Sequence, residues 1–194
     1  MKKIILSLIT GLLLMPINVK ADEGMWFLMF IERLNNRDMQ KMGLQLTSEE
    51  IYSINNHSLK DAIVQFNGGC TAEIISKDGL VLTNHHCGYD AIQTLSTVEN
   101  NLLLNGFCAK SFAEELPIEN FKISFLVRIE DVTSQVLEGI DMKMGEAERN
   151  ALIMAKMREL EGKAVEGTKY ESEVKSFFYG NEYYLFVYNT FRDI

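Results

Sequence analysis

Two cysteines that bracket a predicted β-hairpin constrain the fold of this chain more than any other feature of its sequence. Residues 70–76 alternate in the manner of a strand, and residues 80–83 read as the returning strand. Gly79 lies in the turn between them, where a positive φ is needed. Cys70 begins the first strand and Cys87 follows the second, so the hairpin brings the two thiols within bridging distance. We therefore predict a disulfide between Cys70 and Cys87.

The histidine directly before Cys87 is the candidate catalytic group. The predicted bridge holds the imidazole of His86 beside the hairpin, and an imidazole fixed in this way is suited to act as a general base. His85 is interpreted as a polar residue at the end of the strand. A metal site is an alternative, because histidine and cysteine are both ligands. It is disfavoured because adjacent side chains on a strand point to opposite faces and no second ligand cluster exists in the sequence.

The first 21 residues have the three parts of a secretory signal. Lys2 and Lys3 precede an apolar run over residues 4–17, and the small residue Ala21 ends the segment. The apolar run is about fourteen residues long, whereas a membrane-spanning helix needs about twenty. We predict that residues 1–21 are a cleaved signal peptide, that residues 22–194 are exported, and that they contain no membrane span.

Charge and cysteine content narrow the classes of partner. The full sequence has a net charge of −8, and loss of the signal, which carries three lysines and no acid, makes it −11. Nucleic acid is excluded as a partner because binding phosphates requires a basic surface.

Three cysteines in an exported chain indicate one disulfide and one remaining thiol. The remaining residue, Cys108, has apolar neighbours and is predicted to be buried.

Hydrophobic periodicity places helices and strands around the hairpin. Thr47 and Glu50 have the capping-box pattern of a helix start, and Ser58 is predicted to cap a second short helix. His57, in a polar connection, is interpreted as a surface residue. Further helices are predicted over residues 25–34, 102–105 and 146–161, and part of 88–101 is also predicted to be helical. Strands are predicted over residues 121–130, 170–178 and 183–191. The polar run from Asn35 is expected to end the first of these helices, and Gly162 to cap the helix over 146–161.

Several separated blocks of the sequence resemble a known peptidase family. A hairpin that ends in T-x-x-H-C, with a cysteine about sixteen residues before the histidine, is similar to the histidine-bearing hairpin of trypsin-like serine peptidases. More narrowly, four blocks in the right order resemble bacterial dipeptidyl-peptidases of the 7 and 11 type. These are NGGCTAEIISKDGLVLTNHHCGYDAIQ over residues 67–93, DEGMW over 22–26, the run over 97–116 and the closing FRDI. The likeness extends over residues 22–194.

The resemblance implies a fold and a catalytic residue. The expected fold is mainly β with added helices, the first part of a chymotrypsin-like double β-barrel that is incomplete in this chain. The catalytic histidine of the family corresponds to His86 and not to His85. No serine here stands in a G-x-S-G run. Asp78 lies in the turn and Asp90 is too near His86 in sequence, and the family's surroundings are lacking at Asp131, Asp141 and Asp193. The resemblance therefore places the triad aspartate and serine beyond Ile194, and the 194-residue chain alone is expected to be inactive.

The resemblance also implies an activity and a setting. The family members are exopeptidases that release dipeptides from the free N-terminus of oligopeptides, without metal or cofactor. They are typically homodimers in the periplasm or at the cell surface of Gram-negative bacteria. Relatives tend to carry an aromatic residue where this chain has Cys108, a departure with no evident catalytic meaning. A non-catalytic, exported trypsin-like binding module is the alternative function.

Overall fold

The computed structural model describes residues 26–141 and 143–194. The predicted signal peptide and the first four residues of the DEGMW block lie outside the described residues. No helix in the described ranges is both long and apolar enough to cross a membrane.

A single six-stranded antiparallel sheet organises the described residues. Its strands are β1 (Ile63–Phe66), β2 (Cys70–Ile74), β3 (Val81–Thr83), β4 (Lys122–Asp131), β5 (Glu171–Phe177) and β6 (Glu182–Arg192). Their order across the sheet is β3-β2-β1-β4-β6-β5, so β3 and β5 form its two edges. The predicted class, mainly β with added helices and only part of a domain, is confirmed. Closure of the sheet into a barrel stays a prediction, because the two edge strands do not pair with each other within the described residues.

Seven α-helices are described around the sheet. They are α1 (Ile31–Leu34), α2 (Asn36–Lys41), α3 (Ser48–Ile51), α4 (His85–Leu95), α5 (Leu102–Asn105), α6 (Thr133–Leu137) and α7 (Glu146–Val165). Short 3-10 turns are formed by Leu28–Phe30, Leu59–Ala62, Phe112–Glu114 and Phe178–Gly180. The predicted capping box is confirmed, because the side chain of Thr47 accepts from the N–H of Glu50 at the start of α3. Ser58 is the N-cap of a short helical element as predicted, but that element, Leu59–Ala62, is a 3-10 turn, and the N–H of Ser58 donates to the carboxylate of Asp61.

Apolar side chains form two clusters on the sheet. The first lies around β1, β2 and β4 and comprises Val64, Phe66, Ala72 and Ile123, with Cys70 and Cys87 packed against it. The second lies under α6 and α7 and comprises Val132, Val136, Val174, Tyr183, Leu185 and Val187. Val136 and Val187 in this second cluster are completely buried. The histidine-bearing hairpin is therefore supported by the smaller of the two clusters.

The predicted strand over residues 121–130 is confirmed as β4, with one irregularity. Its pairing with β6 shifts between Leu126 and Arg128, so the strand bulges at Val127. The second predicted hairpin is confirmed as β5 and β6. The turn is wider than expected, because Phe178, Tyr179 and Gly180 all have positive φ.

One predicted helix end is confirmed and another is wrong. Helix α1 ends at Leu34, directly before the polar run, although a separate helix, α2, begins at once at Asn36, which is buried. The long helix α7 passes through Gly162 and ends at Val165. Ala164 and Val165 pack against the second apolar cluster, which offsets the cost of about 1 kcal/mol for a glycine inside a helix. Gly167, with φ of +71°, takes the left-handed position that was expected of Gly162.

Candidate active site at the bridged hairpin

The hairpin forms as the sequence predicts. β2 and β3 pair antiparallel, with Ala72 opposite Thr83 and Ile74 opposite Val81. Gly79, in the turn, has φ of +85°, a conformation that residues with a Cβ rarely adopt. Cys70, at the start of β2, is bonded to Cys87, and their Cα atoms lie 6.1 Å apart. The predicted disulfide is confirmed.

The segment after β3 differs from the prediction. His85, His86 and Cys87 form the first turn of helix α4 and do not extend the strand. Asn84 is the extended residue before the helix, and its carbonyl accepts from the N–H of Cys87 at 3.0 Å. Adjacent side chains therefore diverge by a helical step of about 100° rather than to opposite faces of a sheet. The opposite-face geometry of a strand, which disfavoured a metal site, is therefore not present at His85 and His86.

His86 lies exposed over the disulfide. Its Nε2 is 3.4 Å from Sγ of Cys87 and 4.0 Å from Sγ of Cys70. Among the described residues no carboxylate forms an ion pair or hydrogen bond with this ring. An imidazole that is open to solvent and held at one side by a covalent bridge is able to exchange a proton with a group that approaches from outside.

His85 has different surroundings. Its ring stands edge-on to Tyr89, 5.9 Å between centroids, and it lines an apolar groove next to α4 and α5. The groove has a volume of about 540 Å³, and its other lining residues include Leu102, Leu116 and Ile194. The sequence interpretation missed this groove, although the apolar run from Leu102 is its signal. The two neighbouring histidines thus face separate environments, and only His86 contacts the bridge.

The metal alternative fails in the bridged form. The ligand atoms of Cys70, His86 and Cys87 all lie within 4.8 Å of one another, and no other group of this kind is found in the described part of the chain. Thiolates are the sulfur form that ligates metals. Both sulfurs are bonded to each other, so the bridged cluster offers one imidazole and no thiolate.

The other residues that the sequence singled out lie away from His86. His57 is exposed, as predicted, and its Nδ1 is 3.7 Å from a carboxylate oxygen of Asp61. Burial acts to raise the pKa of the Asp61 carboxyl, but hydrogen bonds from Lys60 and Ser58 and the nearby charges outweigh it, so the pKa lies below its usual value. None of the aspartates considered for the triad contacts His86 within the described residues.

The prediction for Cys108 is wrong. Its thiol is free and exposed, and its Sγ lies 3.8 Å from the carbonyl oxygen of Ala109. Its neighbour Phe107 is 54% exposed, so apolar neighbours in sequence do not form a core around this loop.

Comparisons with known proteins agree with the resemblance seen in the sequence. Dipeptidyl-peptidase 7 of Capnocytophaga gingivalis is 57% identical over the whole of this chain, which covers 27% of that protein. The Asp/Glu-specific dipeptidyl-peptidase of the same organism is 49% identical over 88% of this chain, which corresponds to 24% of its own length. This chain therefore spans about a quarter of the length of these relatives.

A solved structure shows the same fold. The crystal structure of Porphyromonas endodontalis DPP11 in complex with the dipeptide Arg-Asp matches with a TM-score of 0.79 at 39% identity. The match covers 89% of this chain and 26% of that one. The family model Peptidase S46 matches residues 21–194. With the bridged hairpin, these matches show that the chain belongs to the Peptidase S46 family.

Proposed function

We propose that the full-length protein containing this chain is a serine-type dipeptidyl-peptidase, and that this chain supplies its general base. The observation that carries the proposal is the exposed imidazole of His86, fixed over the Cys70–Cys87 bridge in a chain of the Peptidase S46 family. The relatives named above are dipeptidyl-peptidases, which supports release of dipeptides from the free N-terminus of oligopeptides.

The proposed mechanism uses His86 twice. A serine hydroxyl from elsewhere in the full-length protein attacks the carbonyl carbon after the second residue of the substrate, and His86 accepts the hydroxyl proton. His86 then donates that proton to the leaving amine as the peptide C–N bond breaks. A carboxylate, which we place beyond Ile194, orients the imidazole. Water completes the cycle by hydrolysing the acyl-enzyme, again with His86 as base.

We further propose that residues 1–21 are a signal peptide and that residues 22–194 are the N-terminal part of the peptidase domain. The three-part pattern of the leader and the start of the family match at residue 21 support this division. The Cys70–Cys87 disulfide favours an oxidising compartment, the periplasm or the cell surface. A homodimer is proposed for the full-length protein, and light scattering on the purified protein tests it.

The experiment that tests the proposed function compares two adjacent histidines in the full-length protein. We expect His86→Ala to lower kcat on dipeptidyl chromogenic substrates by at least about 10⁴-fold, since removal of a triad histidine is that costly in characterised serine peptidases. The matched variant His85→Ala keeps kcat within about threefold, because His85 does not touch the bridge. Substrates with an acidic or a hydrophobic second residue are both assayed, because relatives of both names match this chain. Equal activity of the wild type and His86→Ala contradicts the proposal, and absence of any activity on all such substrates favours the binding module instead.

The isolated 194-residue chain is expected to show no turnover. Loss of the nucleophile lowers triad catalysis by about 10⁶-fold in subtilisin, a serine peptidase with the same kind of triad. Activity of the purified chain that disappears on His86→Ala would show that the nucleophile lies within residues 22–194.

A further inference from the structure

Cys70, His86 and Cys87 form a cluster of three metal-ligating residue types. Its two sulfurs and one ring nitrogen already lie together at the surface, within 4.8 Å of one another. In the bridged form the sulfurs are bonded to each other and ligate nothing. Two sulfurs and one imidazole nitrogen form a known donor set for zinc, with water in the fourth position.

The distances in the bridged form are close to those a metal needs. At ordinary Zn–S and Zn–N bond lengths, tetrahedral coordination separates a sulfur from a nitrogen by about 3.6 Å. The two sulfur-to-nitrogen distances at His86, 3.4 Å and 4.0 Å, lie on either side of that value. The same geometry separates two sulfurs by about 3.8 Å. When the bond between the two sulfurs is broken, they move apart to van der Waals contact. The sulfur-to-sulfur distance then increases, as metal coordination requires.

The backbone around the cluster holds the ligands near one another without the bridge. Cys70 belongs to β2, which pairs with both β1 and β3. Cys87 lies in the first turn of α4, directly after β3. Ala72 of β2 and Ala91 of α4 are buried, so both elements are fixed by packing as well as by the disulfide. His86 is exposed, which leaves room for a cation and for a water molecule at the fourth coordination position of that cation.

We propose that reduction of the Cys70–Cys87 disulfide converts this cluster into a site for Zn²⁺ or a similar thiophilic divalent cation, with Cys70, Cys87 and His86 as protein ligands. A dithiol reductant supplies two electrons and two protons to the disulfide and is itself oxidised to a disulfide. The two resulting thiols release two protons when they bind the cation as thiolates. Coordination through Nε2 then occupies the imidazole that the proposed function uses as a base, so this last consequence rests on the proposed function.

Co²⁺ is the probe that tests the site, because its absorption reports thiolate ligation whereas Zn²⁺ is silent. The chain carries Cys108→Ser, so that Cys70 and Cys87 are its only thiols. The protein is reduced with a dithiol, and the dithiol is then removed by gel filtration in the absence of oxygen. We expect one Co²⁺ per chain with thiolate-to-cobalt charge-transfer absorption, displacement by Zn²⁺, and no such band in the oxidised protein. Adding His86→Ala should weaken binding by about tenfold or more, as loss of one of three protein ligands predicts, whereas His85→Ala leaves it within twofold.

The proposal is overturned by the absence of a cobalt band in the reduced protein, by unchanged affinity in His86→Ala or by equal weakening in His85→Ala. Circular dichroism of each sample shows whether reduction unfolds the chain. If it does, Zn²⁺ should restore the spectrum through the same three ligands, and failure to restore it also overturns the proposal. The readout does not involve catalysis, so a negative result here is distinct from failure of the peptidase assignment.

Discussion

The two ends of the sheet are stabilised by different means. The helix region, which comprises α6, α7, β5 and β6, is built around six buried apolar or aromatic residues, two of them completely buried. The hairpin region, which comprises β1, β2, β3 and α4, has a smaller buried cluster and a covalent bridge. Leu80 and Leu82 of this hairpin are 59% and 53% exposed. The candidate active site is therefore in the region with less apolar packing, where a crosslink fixes what burial does not.

This difference accounts for the position of the proposed general base. A general base has to be reached by the substrate and the nucleophile, so it must remain at the surface. A surface side chain on a thinly packed hairpin would move, and the bridge restricts that motion at the residue next to His86. The described residues of the helix region contain no disulfide, and a buried apolar cluster stabilises that region instead.

The largest expected loss of stability comes from removing the bridge. Replacing both Cys70 and Cys87 by Ala should lower the free energy of unfolding by about 3 kcal/mol, the value of the chain-entropy model for a loop of this length. Equilibrium urea denaturation followed by circular dichroism measures the change. Cys108→Ser, which alters an exposed free thiol, is the control and should cost less than about 0.5 kcal/mol. A loss below about 1 kcal/mol would show that packing alone stabilises the hairpin region.

Truncation in the helix region should have the next largest effect. Val187→Ala removes two methyl groups from a completely buried position and should cost about 2 kcal/mol. Val98→Ala, at a position that is 97% exposed, is the matched control and should change stability by less than about 0.5 kcal/mol. Combined with the cysteine variant, Val187→Ala tests whether the two regions are independent, since effects at separate sites add. A combined loss much smaller than the sum would contradict the comparison.

Loss of a helix cap should cost less than either change. Thr47→Ala removes the side-chain oxygen that accepts from the N–H of Glu50 at 3.2 Å, and its expected cost is about 1 kcal/mol. Gln45→Ala, at an exposed position just before the cap, is the control. The same urea experiment applies, and equal effects of the two substitutions would show that the capping box adds nothing.

Alkaline pH should destabilise the helix region specifically, with no effect near neutrality. Burial is the main cause that raises the pKa of Tyr184 and of Tyr188 to about 12, and the nearby Glu182 and Glu173 add to it. The folded state favours the neutral phenols, so both tyrosines contribute to the free energy of unfolding. This contribution is complete below the ordinary pKa of 10.0 and is lost as the pH rises towards 12. Between pH 8 and 12, the urea midpoint should fall less steeply in Tyr184→Phe and in Tyr188→Phe than in the wild type. An identical fall in the wild type and both variants would show that these two tyrosines do not cause the loss of stability.

Local sequence patterns predicted the parts of the fold that depend on neighbouring residues. The turn at Gly79, the bridge from Cys70 to Cys87 and the capping box at Thr47 are each set by a few residues close in sequence. The order of strands in the sheet was not predicted, because the pairing of β1 with β4 and of β4 with β6 joins residues that are distant along the chain.

The errors have physical causes of the same kind. The helix at His85 was missed although Asn84, a preferred residue before a helix, directly precedes it. Gly162 has the sequence signature of a cap, but packing of Ala164 and Val165 on the second apolar cluster outweighs the local preference. Whether Cys108 is buried depends on which other elements of the fold pack against its loop. The residues next to it in sequence do not determine those contacts.

Labelling of the full-length protein with a fluorophosphonate tests the central claim most directly, because the reagent modifies a serine that a neighbouring histidine has activated. The modified residue is located by mass spectrometry, and labelling rates are compared for the wild type, His86→Ala and His85→Ala. We predict a single labelled serine outside residues 22–194, a rate at least about 10³-fold lower in His86→Ala, and an unchanged rate in His85→Ala. A labelled serine within residues 22–194, or labelling that does not depend on His86, would contradict the account.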